Sequence, residues 1–414
     1  MMRRWLSGLI EAAWLRRLMR SGMGTALLIL GVLIGLTVAY RAHMQGNFHK
    51  LKLKANIDTE EHEAPVAQPG GQEAIVLVRS RMAGSTTPEF LSATLLPGRG
   101  MNVLQITAYI PGKGEVKLLA SPSVESAAAA MTGTGADAHG ETSLAMGGAF
   151  ELPWGDSLGN GGTDRKVMWE GKPLVLPGAA RYGWMLAQPA DSVTSETLPD
   201  GGDARAVFHL GDFGGHWISK TDVTTSVLLS SQALELTVVA TNVGDVAEPI
   251  GVGWHPRFAI APDRRSQMRL RVQADSRLRL RNGVGSQAAA VATTESAAEF
   301  SAEHGAAFHS LDDCFVGLKQ KLLDNGPAAE LIDPANGYGL RLTALSPVIR
   351  AMCVVAPLNG DFVSIEPQFN YPDPFGKEWN AETNTGMVTL QPKQSTEWKI
   401  RLELFAPGGP GQAK

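Results

Sequence analysis

Short segments in which apolar and polar residues alternate recur from Glu73 towards the C-terminus, and they constrain the fold more than any other feature. In LELTVVA (234–240) and in WKIRLEL (398–404), every second residue is apolar and the residues between them are largely polar. A period of two residues is typical of strands with one buried face. No long amphipathic helix and no repeat of 20–50 residues interrupts the pattern. The sequence therefore predicts an all-β fold over residues 73–408, a large antiparallel β-sandwich.

An uncharged stretch of twenty residues precedes this region. It reads SGMGTALLILGVLIGLTVAY (21–40). At ~1.5 Å of rise per residue, a helix of this length spans a hydrocarbon core of ~30 Å. The stretch is longer than the apolar region of a secretory signal and lacks a clear cleavage site, so it predicts one uncleaved N-terminal transmembrane helix. Five basic residues precede it and four follow within 41–54, which favours a cytoplasmic N-terminus and a periplasmic or other extracytoplasmic main domain.

The segments on either side of this stretch complete the predicted organisation. Residues 1–20 place apolar side chains at helical spacing beside arginines, which is typical of an amphipathic segment on the cytoplasmic membrane surface. A simple extension of the transmembrane helix explains them equally well. Residues 41–72 are predicted to be a linker, and residues 409–414 a tail. We expect a single-pass, membrane-anchored protein that has the lipid bilayer as one partner.

Charge and cysteine content exclude several classes of function. The net charge of −4 is spread along the chain and gives no reason to expect a nucleic-acid partner. Cys314 and Cys353 lie in apolar runs without metal-ligand spacing, so we expect two buried free thiols, with a single disulfide as the alternative. The sequence has no phosphate loop, dinucleotide fingerprint, zinc signature or serine nucleophile elbow. Neither a cofactor nor a metal is therefore expected.

Ionisable residues interrupt three apolar segments. They are His255 in GVGWHPRF, the pair Asp312 and Asp313 in SLDDCFVGL, and Glu366 in FVSIEPQF. A charge at the end of a buried strand is costly unless it is paired or functional. A proline follows both His255 and Glu366 and is expected to end strand pairing there. A structural histidine and a solvated acidic turn are the alternatives. An imidazole with several carboxylates suits proton transfer on a polyhydroxylated substrate.

Five segments, in this order, resemble motifs of the aldose 1-epimerase (galactose mutarotase-like) family. They are GGAFELPW (147–154), NVGDVAEPIGVGWHPRF (242–258), LDDCF (311–315), SIEPQFNYPDPF (364–375) and GMVTLQPKQSTEWKIRLEL (386–404). Each motif is weak by itself, but their order and spacing hold across residues 75–405.

The resemblance implies the galactose mutarotase-like supersandwich and the interconversion of the anomers of a free aldose. It implies that Glu366 is the general base for the C1 hydroxyl and that His255 is the general acid for the ring oxygen. These two groups are expected on opposite sides of one sugar. Asp312 matches the aspartate that binds sugar hydroxyls, and Trp154 belongs to the stretch that opens the site, so both are expected to bind substrate.

The chain departs from the family pattern at the residues that position the sugar. Tyr182, in ARYGWM, stands where the family usually has a second histidine, and a phenol can still donate a hydrogen bond. The Asn-Arg pair of the family is missing, and Arg165 is its nearest substitute. Arg257 replaces the tyrosine of His-Pro-Tyr-Phe, and Asp313 replaces a frequent histidine. We expect Tyr182, Arg257 and Arg165 to contribute to substrate binding.

Two functions therefore remain open. The first is a membrane-anchored aldose 1-epimerase, an isomerase that acts on a monosaccharide or on the end of a sugar polymer. The second is a catalytically impaired, carbohydrate-binding or assembly subunit of a membrane protein complex, which the altered positioning residues and the anchor favour. Phosphosugar epimerisation is a third and weaker reading, because an extracytoplasmic site meets few phosphosugars.

Overall fold

The computed structural model describes residues 29–43, 66–156, 165–176, 182–260, 262–281, 290–321, 324–376, 379–380 and 382–407. The chain divides into two compact units, Met1–Val66 and Ala67–Lys414. Residues 67–72, which the sequence assigns to the linker, lie within the second unit.

The described part of the first unit is one helix, α1, at residues 29–43. The first eight residues of the predicted span 21–40 lie outside the described residues, as do the segment 1–20, residues 44–65 and the tail. Within the residues that the structure does describe, no helix combines the length and the apolar character needed to cross a membrane.

The second unit consists mainly of strands. In chain order they are β1 Ile75–Val78, β2 Glu89–Leu96, β3 Asn102–Ile110, β4 Gly114–Lys117, β5 Gly148–Glu151, β6 Arg165–Trp169, β7 Lys172–Leu176, β8 Ser192–Leu198, β9 Gly201–Gly211, β10 Thr221–Leu229, β11 Ala233–Asn242, β12 Glu248–Ile250, β13 Gly253–Pro256, β14 Phe258–Ala259, β15 Arg269–Val272, β16 Ala274–Arg281, β17 Ala290–Ser296, β18 Ala306–Ala307, β19 Leu311–Leu318, β20 Ala328–Asp333, β21 Tyr338–Ala344, β22 Ala351–Ala356, β23 Phe362–Gln368, β24 Val388–Leu390 and β25 Ser395–Phe405. Within the described residues of this unit, two short α-helices accompany the strands, α2 Val124–Ala130 and α3 Ala298–Ser301.

The described strands form two large antiparallel sheets. The first sheet has the order β1-β2-β3-β5-β13-β23-β22-β19-β16-β17, with β4 beside β3 and β14 beside β23. The second sheet has the order β18-β15-β20-β21-β25-β11-β10-β9-β8. Two-stranded ladders join β12 to β24 and β6 to β7. The predicted all-β antiparallel architecture is confirmed.

The sandwich core lies between the two large sheets. Strand β11 alternates as the sequence predicts, with Leu234, Leu236 and Val238 fully buried. Trp398 of β25 packs edge-on against Phe150 of β5, with 6.0 Å between ring centres, and so connects the two sheets. Since every inward-facing residue alternates with one that faces outward, the first sheet presents a second face, turned away from this core. We call this outer face the site face.

The two cysteines correct one expectation. Cys314 and Cys353 are joined by a disulfide rather than being free thiols. They lie directly opposite each other on the neighbouring strands β19 and β22. Both residues point to the site face, because Phe315 and Val354, their chain neighbours, belong to the sandwich core. The pairing depends on strand register, which the spacing of the two cysteines does not determine.

Candidate functional site

The central strands of the first sheet bring the sequence-predicted acid and base together on the site face. On β13, Trp254 is fully buried in the core, and His255, the next residue, faces outward with 11% of its side chain exposed. Gly253 pairs with Gln368 of β23. Continuing that register by two residues sets His255 opposite Glu366. Pro367 does not end the strand, since β23 continues to Gln368, whereas Pro256 is the last residue of β13.

His255 lies between two buried carboxyl groups. Its Nδ1 is 2.9 Å from Oε1 of Glu366 and 3.6 Å from Oε1 of Glu151. Despite the short distance, Nδ1 and Oε1 of Glu366 do not have the geometry of a hydrogen bond, and all three facing atoms are buried without a hydrogen-bond partner. A buried polar atom left in this way costs about 1–3 kcal/mol. Such a cluster is typical of a functional site rather than of a structural core.

This contact changes the expected placement of the acid and the base. A pyranose ring does not fit between atoms 2.9 Å apart, so the sugar cannot lie between Nδ1 of His255 and Oε1 of Glu366. The other polar atoms of the pair, Nε2 of His255 and Oε2 of Glu366, are not among the buried unpartnered atoms. A ligand would have to approach these two atoms, because Nδ1 and Oε1 face each other.

Local backbone features hold Glu151 in this cluster. Its Oε2 accepts a hydrogen bond of 2.6 Å from the backbone N–H of Asp156, which has the left-handed φ of 63°. A Cβ atom at Gly253 would lie 2.9 Å from the same Oε2, so the glycine leaves the space that this carboxyl group occupies. Asn370 fixes the turn by accepting from the N–H of Gly155 at 2.9 Å and donating to its carbonyl at 2.8 Å. The glycine before the Trp-His-Pro segment is thereby explained.

Burial and crowding shift the proton affinities of the acidic groups. Burial raises the pKa of Glu151 well above its usual range, and the negative charge of Glu366 raises it further. Burial likewise raises the pKa of Asp312 to about 6, with smaller contributions from Glu366 and Asp313. The raised pKa of Glu151 favours its protonated form. With a pKa of about 6, Asp312 is mostly ionised at neutral pH.

Tyr182 contacts the cluster from a loop. Its ring lies edge-on to the His255 imidazole, with 5.8 Å between ring centres. Burial raises the pKa of the phenol well above its usual range, and the charges of Asp156 and Glu366 add to the effect. Tyr182 is therefore a neutral hydrogen-bond donor beside the imidazole.

The two adjacent aspartates of β19 face opposite ways. Asp312 lies on the same face of β19 as Cys314. Cys314 is directly opposite Cys353 of β22, and Cys353 is directly opposite Glu366 of β23, so these side chains share one face. Asp312 is thus on the site face. Asp313 points to the other face, where it lies 3.5 Å from Arg277 and 3.6 Å from Arg279. Asp313 is therefore a paired structural residue.

Trp154 and Arg257, two further residues predicted to bind substrate, make their described ring contacts with other residues than His255. Trp154 is fully buried, and its ring packs against that of Trp184, with 4.6 Å between the ring centres. Arg257 stacks its guanidinium 3.6 Å above the Phe362 ring and lines a separate cavity of about 440 Å³. Arg165 begins β6, and its side chain lies outside the described part of the chain.

Sequence reasoning missed Glu151. Its signal was a single carboxyl group between the apolar Phe150 and Leu152, two residues before a proline. Among the described residues, no group of three or more His, Cys, Asp or Glu side chains is arranged to hold a metal ion. The cluster has the groups that proton transfer needs, an imidazole and an adjacent carboxyl group on one face of the sheet.

Comparison with known proteins identifies the fold. No protein-family model matches the chain, and no curated protein sequence matches it. A galactose mutarotase-like protein from Clostridium acetobutylicum has a TM-score of 0.61 at 16% identity, over 80% of this chain and 98% of its own. A candidate aldose 1-epimerase from Escherichia coli K12 has a TM-score of 0.57 at 15% identity, over 80% and 99%. An aldose epimerase homologue from C. elegans has a TM-score of 0.55 at 13% identity, over 80% and 99%. At these identities the similarity establishes the fold, which is the galactose mutarotase-like fold that the motifs predicted.

Proposed function

We propose that this chain, with its galactose mutarotase-like fold, is a membrane-anchored aldose 1-epimerase that interconverts the anomers of a sugar. The observation that carries the proposal is the contact between His255 and Glu366 on the site face. It holds an imidazole and a carboxyl group 2.9 Å apart, with Nε2 of His255 and Oε2 of Glu366 as the atoms proposed to meet the sugar. The fold alone does not specify a reaction, so the proposal rests on this pair of groups.

The proposed reaction is ring opening by paired proton transfers. Oε2 of Glu366 removes the proton from the C1 hydroxyl, the C1–O5 bond breaks, and Nε2–H of His255 gives its proton to the ring oxygen. Rotation about C1–C2 and the reverse transfers close the ring on the other face. Asp312 accepts hydrogen bonds from sugar hydroxyls, and Tyr182 donates one. Positioned acid and base groups of this kind contribute ~10²–10⁴-fold each.

Polarimetry on the purified full chain in detergent tests the proposal. Freshly dissolved α-anomers of D-glucose, D-galactose, D-mannose and D-xylose serve as substrates, with D-glucose 6-phosphate as an anionic comparison. We expect faster mutarotation of at least one neutral aldose. Glu366→Gln and His255→Gln should each lower kcat ~100-fold or more, and Glu397→Gln, an exposed carboxyl group of β25, should leave it unchanged. Equal rates for the wild type and Glu366→Gln would refute catalysis.

A carbohydrate-binding or assembly subunit is the second candidate function. Tyr182 in place of a second histidine and the closed contact at Nδ1 favour it, since they leave fewer groups to position a sugar. Saturation-transfer NMR with the same sugars distinguishes the two functions. Binding without faster mutarotation, or stable co-purification with a membrane protein complex, would support the subunit role.

We also propose that residues 21–40 anchor the protein and that the second unit lies outside the cytoplasm. The uncharged stretch and the distribution of basic residues support the anchor. The Cys314–Cys353 disulfide supports the location, because disulfides persist mainly in oxidising compartments. Protease treatment of spheroplasts is expected to degrade the second unit, and thiol alkylation before reduction should modify neither cysteine. A protected second unit would contradict this orientation.

A further inference from the structure

An apolar patch lies directly beside the acid and base on the site face. On four neighbouring strands, four residues lie directly opposite one another in sequence: Glu366 of β23, Cys353 of β22, Cys314 of β19 and Leu278 of β16. Val316, two residues after Cys314, lies on the same face. The apolar residues of this group form a buried cluster that is separate from the sandwich core and consists of Leu278, Cys314, Val316, Ala351 and Cys353. Neighbouring strands are ~4.8 Å apart, so the patch begins one strand away from Glu366.

Two aromatic rings pack onto this patch and remain partly exposed. They belong to Tyr371 and Trp379, whose ring centres are 5.5 Å apart at an angle of 52°. The indole N–H of Trp379 donates to the carbonyls of Asp373 at 2.9 Å and of Pro372 at 3.3 Å. These bonds fix the orientation of the indole ring before any ligand arrives, which lowers the entropic cost of binding to it. We call Tyr371, Trp379 and the patch beneath them the aromatic platform.

We propose that the aromatic platform is a second sugar subsite and that the substrate of this site is the reducing end of an oligosaccharide rather than a free monosaccharide. The proposal rests on the proposed epimerase function. The first sugar ring lies at His255 and Glu366, with its C1 hydroxyl free. The next ring, joined to it through another hydroxyl, lies against the platform.

The chemistry of a sugar ring matches both parts of this surface. A pyranose has a face of C–H groups with slight positive charge and an edge of hydroxyl groups. The C–H face packs on the negative face of an aromatic ring, which the partly exposed Tyr371 and Trp379 offer. The hydroxyl edge needs acceptors, and Asp312, two residues from Cys314 on the same face, supplies a carboxylate at the border of the platform. A pyranose is about as wide as one strand spacing, ~5 Å, so the second ring would lie above the strand next to Glu366, where the platform begins.

The comparison of a monosaccharide with a disaccharide tests the proposal. The full chain in detergent is assayed by NMR exchange spectroscopy with D-glucose, maltose, cellobiose and lactose, all of which have a free reducing end. We expect kcat/KM for at least one disaccharide to exceed that for glucose ~10-fold, as one aromatic contact can supply. Trp379→Ala should remove that advantage, and its kcat/KM for glucose should stay within about twofold of the wild type.

Two further variants keep the result interpretable. Phe405→Ala removes a partly buried aromatic ring of β25 in the second sheet and should leave the disaccharide preference unchanged. If Trp379→Ala loses activity on glucose as well, Trp379→Phe decides. It keeps an apolar ring but loses the two indole hydrogen bonds, and should lower only the disaccharide advantage. Equal kcat/KM for glucose and all three disaccharides in the wild type would overturn the subsite.

Failure of the proposed function is recognised separately. If the wild type accelerates no sugar, the epimerase proposal fails, and binding decides whether the subsite exists. Saturation-transfer NMR should then show tighter binding of a disaccharide than of glucose, reduced ~10-fold by Trp379→Ala and unaffected by Phe405→Ala. Equal binding of glucose and the disaccharides would overturn the subsite in that case too.

Discussion

A buried carboxyl group outside the site gives the most quantitative prediction. Glu248, in β12, is fully buried. Its Oε2 accepts a hydrogen bond of 3.0 Å from the hydroxyl of Thr221, and its Oε1 has no partner. Burial raises its pKa from 4.5 to about 8, and the Thr221 hydrogen bond offsets only part of this effect. The folded protein therefore keeps this proton at neutral pH, and the unfolded chain releases it.

The sign of the effect on stability follows from the proton count. Between pH 5 and 8 the folded state binds one more proton at Glu248 than the unfolded state, so the free energy of unfolding falls as pH rises. The slope is about 1.4 kcal/mol per pH unit. As pH rises from 4.5 to about 8, Glu248 therefore lowers the free energy of unfolding by about 5 kcal/mol in total. This stability is fully present at low pH, and its loss is complete once pH passes 8. Glu248→Gln keeps the shape and removes the proton, so it should lack this slope.

Urea denaturation of the full chain, followed by tryptophan fluorescence from pH 5 to 9, measures the difference. The wild type should lose about 3 kcal/mol relative to Glu248→Gln between pH 5.5 and 7.5. Other titrating groups cancel because they are common to both proteins. Glu397→Gln, at an exposed position, should run parallel to the wild type. Parallel curves for Glu248→Gln and the wild type would refute the reasoning, since they would mean that Glu248 ionises equally easily in both states.

Two predictions concern the carboxyl group beside the imidazole. Glu151→Gln should keep kcat within about threefold, because an amide is neutral, like the protonated carboxyl group that the raised pKa favours, and can still accept the Asp156 N–H. A loss of 100-fold or more in the polarimetric assay would mean that Glu151 works as a carboxylate. Gly253→Ala should lower kcat and reduce the free energy of unfolding in urea by about 1–3 kcal/mol, because its Cβ would lie 2.9 Å from Oε2 of Glu151. An unchanged kcat would show that this carboxyl group has room to move.

The strands could be predicted because their signal is local. Alternation over 234–240 and 398–404 predicts half-buried strands, and the structure has β11 and β25 there. Pairing is not local: β11 and β25 are hydrogen-bonded neighbours although more than 150 residues separate them. The same holds for the disulfide, since the register of β19 against β22 decides whether two cysteines meet.

The site was predictable only in part, for the same reason. His255 and Glu366 stood out because each is an ionisable residue in an apolar run before a proline. Glu151 carries a similar signal, but its meaning depends on β5 pairing with β13, which brings its carboxyl group to His255. The role of Trp154 stays a prediction, and its burial was not evident from the sequence. A tryptophan after a proline resembles the rim of a site, but the turn that follows β5 directs its ring into a cluster with Trp184 and Trp217.

The charge of the site restricts the substrate more than the motifs do. Glu151, Asp156, Asp312 and Glu366 all act on Tyr182, so the described groups around the imidazole are predominantly acidic. The guanidinium of Arg257, which could have held a phosphate, stacks on Phe362 in a separate cavity. Two like charges ~6 Å apart repel by about 3 kcal/mol at an effective dielectric constant of 20, which corresponds to a loss of ~100-fold or more in affinity. A dianionic phosphosugar is therefore disfavoured, whereas the hydroxyls of a neutral sugar find acceptors. The D-glucose 6-phosphate arm of the polarimetric assay bears directly on this argument, because acceleration of that substrate would require a cation at the site to outweigh these carboxyl groups.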